Sequence, residues 1–175
     1  MTKIAIVGPG AVGSVLAAIL QETRRHELLL CARRPLPSLR VKTIVGESHF
    51  SPRVVTSPAD ATAMDWVLVT TKAYDSAGAA QWLPPLVNAC TRVAIIQNGV
   101  EHLERFEPYL PRTSLVPVMV DCPAERTDAG VVQRGQAKLV VPAGPAGEEF
   151  CRLFDHPAAS VSQTADLKTA LWRKL

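Results

Sequence analysis

The sequence predicts an α/β fold: a doubly wound, mostly parallel sheet with helices on both faces and additional mixed strands near the C-terminal end. Three observations carry that expectation. Short β-branched runs alternate with helix-forming segments as far as Gln97, and such alternation makes parallel sheets. The first run ends in a glycine-rich turn that leads straight into a helix-forming segment. After Pro111 the alternation gives way to strand-like pieces with no helix between them.

Ile4-Ala5-Ile6-Val7 is a short apolar run ended by glycine and reads as a buried strand. Ala11 to Gln21 is rich in helix formers, and His26 to Cys31, with three consecutive leucines, is the next strand. Val41 to Val55 breaks into β-prone pieces at Gly46 and Pro52 and reads as an irregular excursion or a hairpin. Asp65 to Thr71 is a buried strand, and Tyr74 to Leu83 a helix stopped by Pro84-Pro85. Arg92 to Gln97 is a strand turned by Asn98-Gly99. Ser114 to Val120, Gly130 to Arg134 and Ala137 to Val141 read as strands added to the sheet in mixed directions. Gly147 to Phe154 reads as a helix, Ala158 to Ser162 as a strand, and Thr164 to Leu175 as a helix running into the chain end. No internal repeat or low-complexity segment interrupts the series. The expected division is one α/β domain over residues 1–163, with residues 164–175 as a separate terminal helix.

The 175 residues are 47% hydrophobic and 20% charged, a balance that can bury a core and argues against disorder. A net charge of +3 is too weak to imply a nucleic-acid or membrane partner. Cys31, Cys90, Cys122 and Cys151 lie far apart, with neither zinc-ligand spacing nor a disulfide framework. Met1 to Val7 is too short for a signal peptide, and Gly13 and Ser14 interrupt the longest apolar stretch. These features predict a cytoplasmic protein with no metal site.

Gly8-Pro9-Gly10-Ala11-Val12-Gly13 matches G-x-G-x-x-G between a strand and a helix, the context that makes the pattern informative. Gly8 permits the tight turn, Gly10 admits a pyrophosphate, and Gly13 lets the helix pack close to the strand. Helix N–H groups and the positive end of the helix dipole then face the phosphates. This predicts a Rossmann-type dinucleotide site. A NAD-selective unit places an acid ~20 residues past the glycines. Here that position is Arg33, and no acid occurs from Leu28 to Gly46. An arginine suits a ribose 2′-phosphate, so NADP (as NADPH) is expected over NAD.

Lys72 and Asn98 end two of the predicted strands, where a parallel sheet lines its ligand crevice. Lys72 suits a phosphate or carboxylate, and equally a solvated surface lysine. Asn98 suits a carboxamide or hydroxyl, and equally a turn that needs positive φ.

Together with Thr71-Lys72-Ala73, Gln97-Asn98-Gly99 and Leu171-Trp172-Arg173-Lys174-Leu175, the glycine motif and Arg33 make nearly the whole chain resemble the ketopantoate reductases (2-dehydropantoate 2-reductases). The resemblance implies a Rossmann domain followed by a helical domain, with the active site between them. It implies reduction of ketopantoate to pantoate by NADPH, a step toward pantothenate and coenzyme A. It further implies that Lys72 and Asn98 touch the cofactor, with Asn98 also near substrate, and that Arg33 meets the 2′-phosphate. Lys174 becomes the proton donor beside the substrate, and Ala124 a backbone contact to the cofactor. Family members continue past the lysine with asparagines, a serine and a glutamate that this chain lacks, so the chain alone is expected to be inactive.

The sequence thus reads as the front part of an oxidoreductase acting on a small 2-oxo acid. A reductase of another 2-oxo acid with the same fold, or a non-catalytic NADP-binding regulator, is the alternative. The apolar side chains Leu167, Leu171 and Trp172 are expected to be partly exposed and to favour a homodimer.

Overall fold

The computed structural model describes residues 1–175, and a six-stranded parallel sheet runs through its middle. β1 (Thr2–Val7) leads through α1 (Ala11–Thr23) to β2 (His26–Cys31). A hairpin of β3 (Leu39–Lys42) and β4 (Glu47–Phe50) precedes β5 (Arg53–Val55). The second half of the sheet comes from β6 (Trp66–Val69), α2 (Ser76–Ala80), α3 (Leu83–Leu86), β7 (Arg92–Ile95), α4 (His102–Phe106) and β8 (Leu115–Pro117). Beyond it lie β9 (Met119–Asp121), β10 (Ala124–Thr127), β11 (Gly130–Gln133), β12 (Ala137–Pro142), α5 (Pro145–Cys151), β13 (Ala159–Thr164) and α6 (Leu167–Lys174).

The strand order is β5-β2-β1-β6-β7-β8, with every pair parallel. The chain builds outward from β1 in one direction, then returns to β6 and builds the other way. The reversal falls between β1 and β6, where an open α/β sheet forms its crevice. Val7 lies opposite both Cys31 and Val69, so Gly8, Ala32 and Thr70 follow on one rim. β6 is buried along its whole length because both sheet faces are covered.

α1 is buried from Gly13 to Leu20, on all sides rather than along one stripe. The main sheet covers one side, and a second sheet of order β10-β11-β3-β4 covers the other. The opposite face of the main sheet carries the short helices, with Leu83, Leu86 and Phe106 in their core. Trp66, Phe150 and Phe154 pack in series as tilted ring pairs, with centroids 5.6 and 5.3 Å apart, and fasten α5 to the larger core.

Four expectations need correction. Of the strands after Pro111 only β8 joins the main sheet, and it does so in parallel; the others form the β13-β12-β9 sheet and half of β10-β11-β3-β4. β11 and β12 alternate buried and less buried residues, a pattern for strands covered on one face. Ser114 to Val120 is not one strand: it breaks at Val118 after Pro117, which cannot donate to a ladder. The helix expected over Tyr74 to Leu83 is instead a 3-10 turn at Ala73–Asp75 followed by α2 and α3. Pro84 and Pro85 do not stop a helix; they lie in α3, a single turn in which a missing N–H loses no bond. Finally, α6 starts at Leu167, capped by Asp166, whose Oδ1 accepts from the Thr169 N–H at 3.0 Å. Leu167 and Leu171 are buried against β12 and β9, while Trp172 stays 57% exposed.

Candidate functional site

The turn between β1 and α1 has the backbone its glycines predict. Gly8 has φ +81°, and a Cβ there would collide with Thr71 Cγ2. The Gly8 N–H donates to Cys31 O at 3.0 Å and the Gly10 N–H to Gly8 O at 2.7 Å, closing the turn against β2. Thr70 Oγ1 donates to Gly8 O at 2.8 Å from the β6 side. Gly10 is the N-cap of α1, with no side-chain cap and no acid in the first turn. The first amides of α1 therefore have no intrahelical partner, and no side-chain charge offsets the positive helix end. The nearest atom to a Cβ on Gly10 is Gly8 O at 3.9 Å, so its face is open. Gly13 differs: it is buried and does not line the cleft. A Cβ there would strike Thr70 Oγ1 and approach Gly8 O to 3.0 Å, the close approach of helix to strand that the sequence predicts for this glycine.

From this turn a cleft of about 1380 Å³ runs over the carboxyl ends of β1, β2, β6 and β7. Gly8 through Val12, Arg33, Lys72, Asn98, Ala124 and Lys174 all line it, so every other residue singled out in the sequence is brought to one place. Lys72 precedes the 3-10 turn after β6, and Ala124 opens β10 on the far wall. Above the glycine turn, Arg126 Nη2 donates to Pro9 O at 3.1 Å.

A buried polar group steadies the ends of β6 and β7. Gln97 Nε2 donates to Thr71 Oγ1 at 3.1 Å, and its Oε1 accepts from Ser76 Oγ at 3.2 Å. His102 Nε2 donates to Gln97 O at 2.7 Å, and burial pushes this imidazole's pKa down. Arg105 Nη2 donates to Asn98 O at 3.3 Å, and Gly99, at φ +106°, takes the positive φ of the turn. Asn98 is thus spared that role and presents its side chain to the cleft.

Lys174 Nζ donates to Asn98 Oδ1 at 2.6 Å. Lys174 shares the α6 face of Leu167, Ala170 and Leu171, so packing of the two leucines aims its stem at β7. Its amine sits where the long cleft meets a smaller cavity of about 240 Å³ between Gln97, Gly99, Val120, Leu171 and Leu175. Partial withdrawal from water lowers the ammonium's pKa, and the nearby Asp121 carboxylate pulls it back upward. Two cysteines also line the cleft, but burial pushes the Cys31 thiol up to about 12 and, with Asp121, the Cys122 thiol up to about 11. Neither supplies a thiolate.

Arg33 stands at the other end of the cleft, its side chain 86% exposed, and its Nη1 lies 3.6 Å from Asp75 Oδ2. Asp75, Gln97, Asp121 and Arg126 were not singled out from the sequence. A polar residue directly after an apolar strand was the available signal for Gln97. Asp75 reaches the cleft only through strand order, and Arg126 reaches the glycine turn only through the second sheet.

The residues fit a dinucleotide. The open face of Gly10 and the uncapped start of α1 suit a pyrophosphate, and the cleft extends from them both toward Arg33 and toward Asn98.

The chain is similar over most of its length to known proteins. Residues 4–146 match the family model described as Ketopantoate reductase PanE/ApbA. The chain is 46% identical over 176 residues to a 2-dehydropantoate 2-reductase of Caulobacter vibrioides, spanning 100% of this chain and 61% of that protein. It is 40% identical over 182 residues to one of Mycobacterium tuberculosis, spanning 99% and 60%. The crystal structure of a 2-dehydropantoate 2-reductase from Geobacter metallireducens superposes with a TM-score of 0.89 at 25% identity, over 98% of this chain and 61% of that one. The chain therefore spans about three fifths of the length of the curated relatives it matches.

Proposed function

This chain belongs to the ketopantoate reductase family, and on that premise we propose that it forms the cofactor-binding part of an NADPH-dependent 2-dehydropantoate 2-reductase. The observation that carries the reading is the Lys174–Asn98 contact of 2.6 Å at the end of a dinucleotide-shaped cleft. Nicotinamide bound in the cleft supplies the hydride for the ketone carbon. The Rossmann turn holds the pyrophosphate through the amides of Gly10, Ala11 and Val12. Arg33 meets the 2′-phosphate, Lys72 adds a positive charge along the cleft, and the Ala124 backbone closes the far wall. Asn98 holds the Lys174 ammonium by its Oδ1 and leaves its Nδ2–H groups for the cofactor or the substrate.

Lys174 then acts as the general acid, passing a proton from Nζ to the ketone oxygen as negative charge develops there. A partly desolvated ammonium gives up its proton more readily than one in water, and Asp121 limits how far that tendency goes. The small cavity beside Lys174 is the place for a compact 2-oxo acid. The test is NADPH oxidation by the full-length protein across a panel of 2-oxo acids. The reading expects ketopantoate to give the highest kcat/KM; a higher value for another member of the panel would reassign the substrate.

A further inference from the structure

Arg33 follows β2 and Asp75 closes the turn after β6, and their side chains meet across the mouth of the cleft at 3.6 Å. Both line it. The two members differ in freedom. The Arg33 side chain is 86% exposed and that of Asp75 only 29%. The Asp75 N–H donates to Lys72 O at 2.9 Å, and its carboxylate occupies the space beside Gly78 where a Cβ would collide with Oδ1. Asp75 is therefore the fixed charge and Arg33 the movable one.

We propose that Asp75 is a specificity-determining residue that competes with the cofactor's 2′-phosphate for the Arg33 guanidinium, narrowing the preference for NADPH over NADH. The proposal rests on the reading of Arg33 as the residue that meets the phosphate. A 2′-phosphate carries about −1.5 to −2 charges near neutral pH. To bind Arg33 it must draw the guanidinium from Asp75 or share it, and in either case it lies near a carboxylate that is more confined than the arginine. A 2′-hydroxyl is uncharged and meets no such cost. No acid from Leu28 to Gly46 plays this part, so the structure delivers the carboxylate from a different strand end. Arg34 and Lys72, which also line the cleft, add attraction for both cofactors and are unaltered in the test.

The experiment is equilibrium titration of the full-length protein with NADPH and with NADH, at low and high salt, for wild type, Asp75→Asn, Asp75→Ala and Arg33→Ala. Both Asp75 variants should tighten NADPH by about three- to tenfold and leave NADH within about twofold, with the gain shrinking as salt screens the charges. Unchanged or weaker NADPH binding in both Asp75 variants overturns the proposal, since Asp75 would then be aiming Arg33 rather than opposing its ligand. Arg33→Ala checks the underlying reading separately. It should weaken NADPH about tenfold or more with little effect on NADH; equal loss for both cofactors would remove Arg33 from the phosphate site whatever the Asp75 variants do.

Discussion

Lys174 and Asn98 show how little a residue's type settles without its surroundings. A lysine near the end of a short helix ordinarily snorkels into solvent. Here the neighbouring leucines are buried, the amine is held by Asn98 at 2.6 Å, and its pKa falls because water is partly withdrawn. Replacing Lys174 by Ala in the full-length protein should reduce turnover by roughly two to four orders of magnitude while NADPH affinity is preserved. The pH profile carries the same signature. A general acid must be protonated, so activity is lost as pH rises through the lowered pKa, and the alkaline limb lies below the ordinary lysine range. Asp121 raises that pKa, so Asp121→Asn should move the limb further toward low pH; a shift the other way would disconnect Asp121 from Lys174.

The glycine turn and α1 act as one element with two separable jobs. Gly8 and Gly13 satisfy packing, one through its positive φ against Thr71 and the other beneath Thr70, whereas Gly10 faces open space. Gly10→Ala should leave denaturant stability within about 1 kcal/mol of wild type, a typical cost for an unhindered surface change, and still weaken NADPH binding. Gly8→Ala should cost about 1–3 kcal/mol of stability as well, through backbone strain and overpacking. Equal stability losses in the two variants, measured by urea unfolding, would refute this division of labour.

At the scale of the whole molecule, α6 closes one side of the site and leaves the other open. Leu167 and Leu171 are covered, but Trp172 is 57% exposed and Leu175, which lines the cavity beside Lys174, 75%. A polypeptide of these 175 residues alone should bind NADPH yet reduce no 2-oxo acid, because the site is open on one side: water is only partly withdrawn from the ammonium and the substrate is not enclosed against it. It should also self-associate at high concentration through the uncovered α6 residues. Light scattering and a ketone-reduction assay on this polypeptide check both; steady turnover or a strict monomer would count against it.

The β1–turn–α1–β2 unit, Arg33 at its end, and the polar residues after β6 and β7 were determined by the sequence alone. Each rests on local physics: β-branched runs ended by glycine, a helix with an open N-terminus, a strand end in a parallel sheet. Tertiary structure alone decided that the strands after β8 make separate sheets and that Asp75 meets Arg33. It also brought Lys174 to Asn98 across 76 residues of chain. Periodicity and spacing report only a residue's neighbours along the chain. Which distant side chains touch is set by strand order, by register and by how two leucines on one helix pack, and none of these is written in a local pattern.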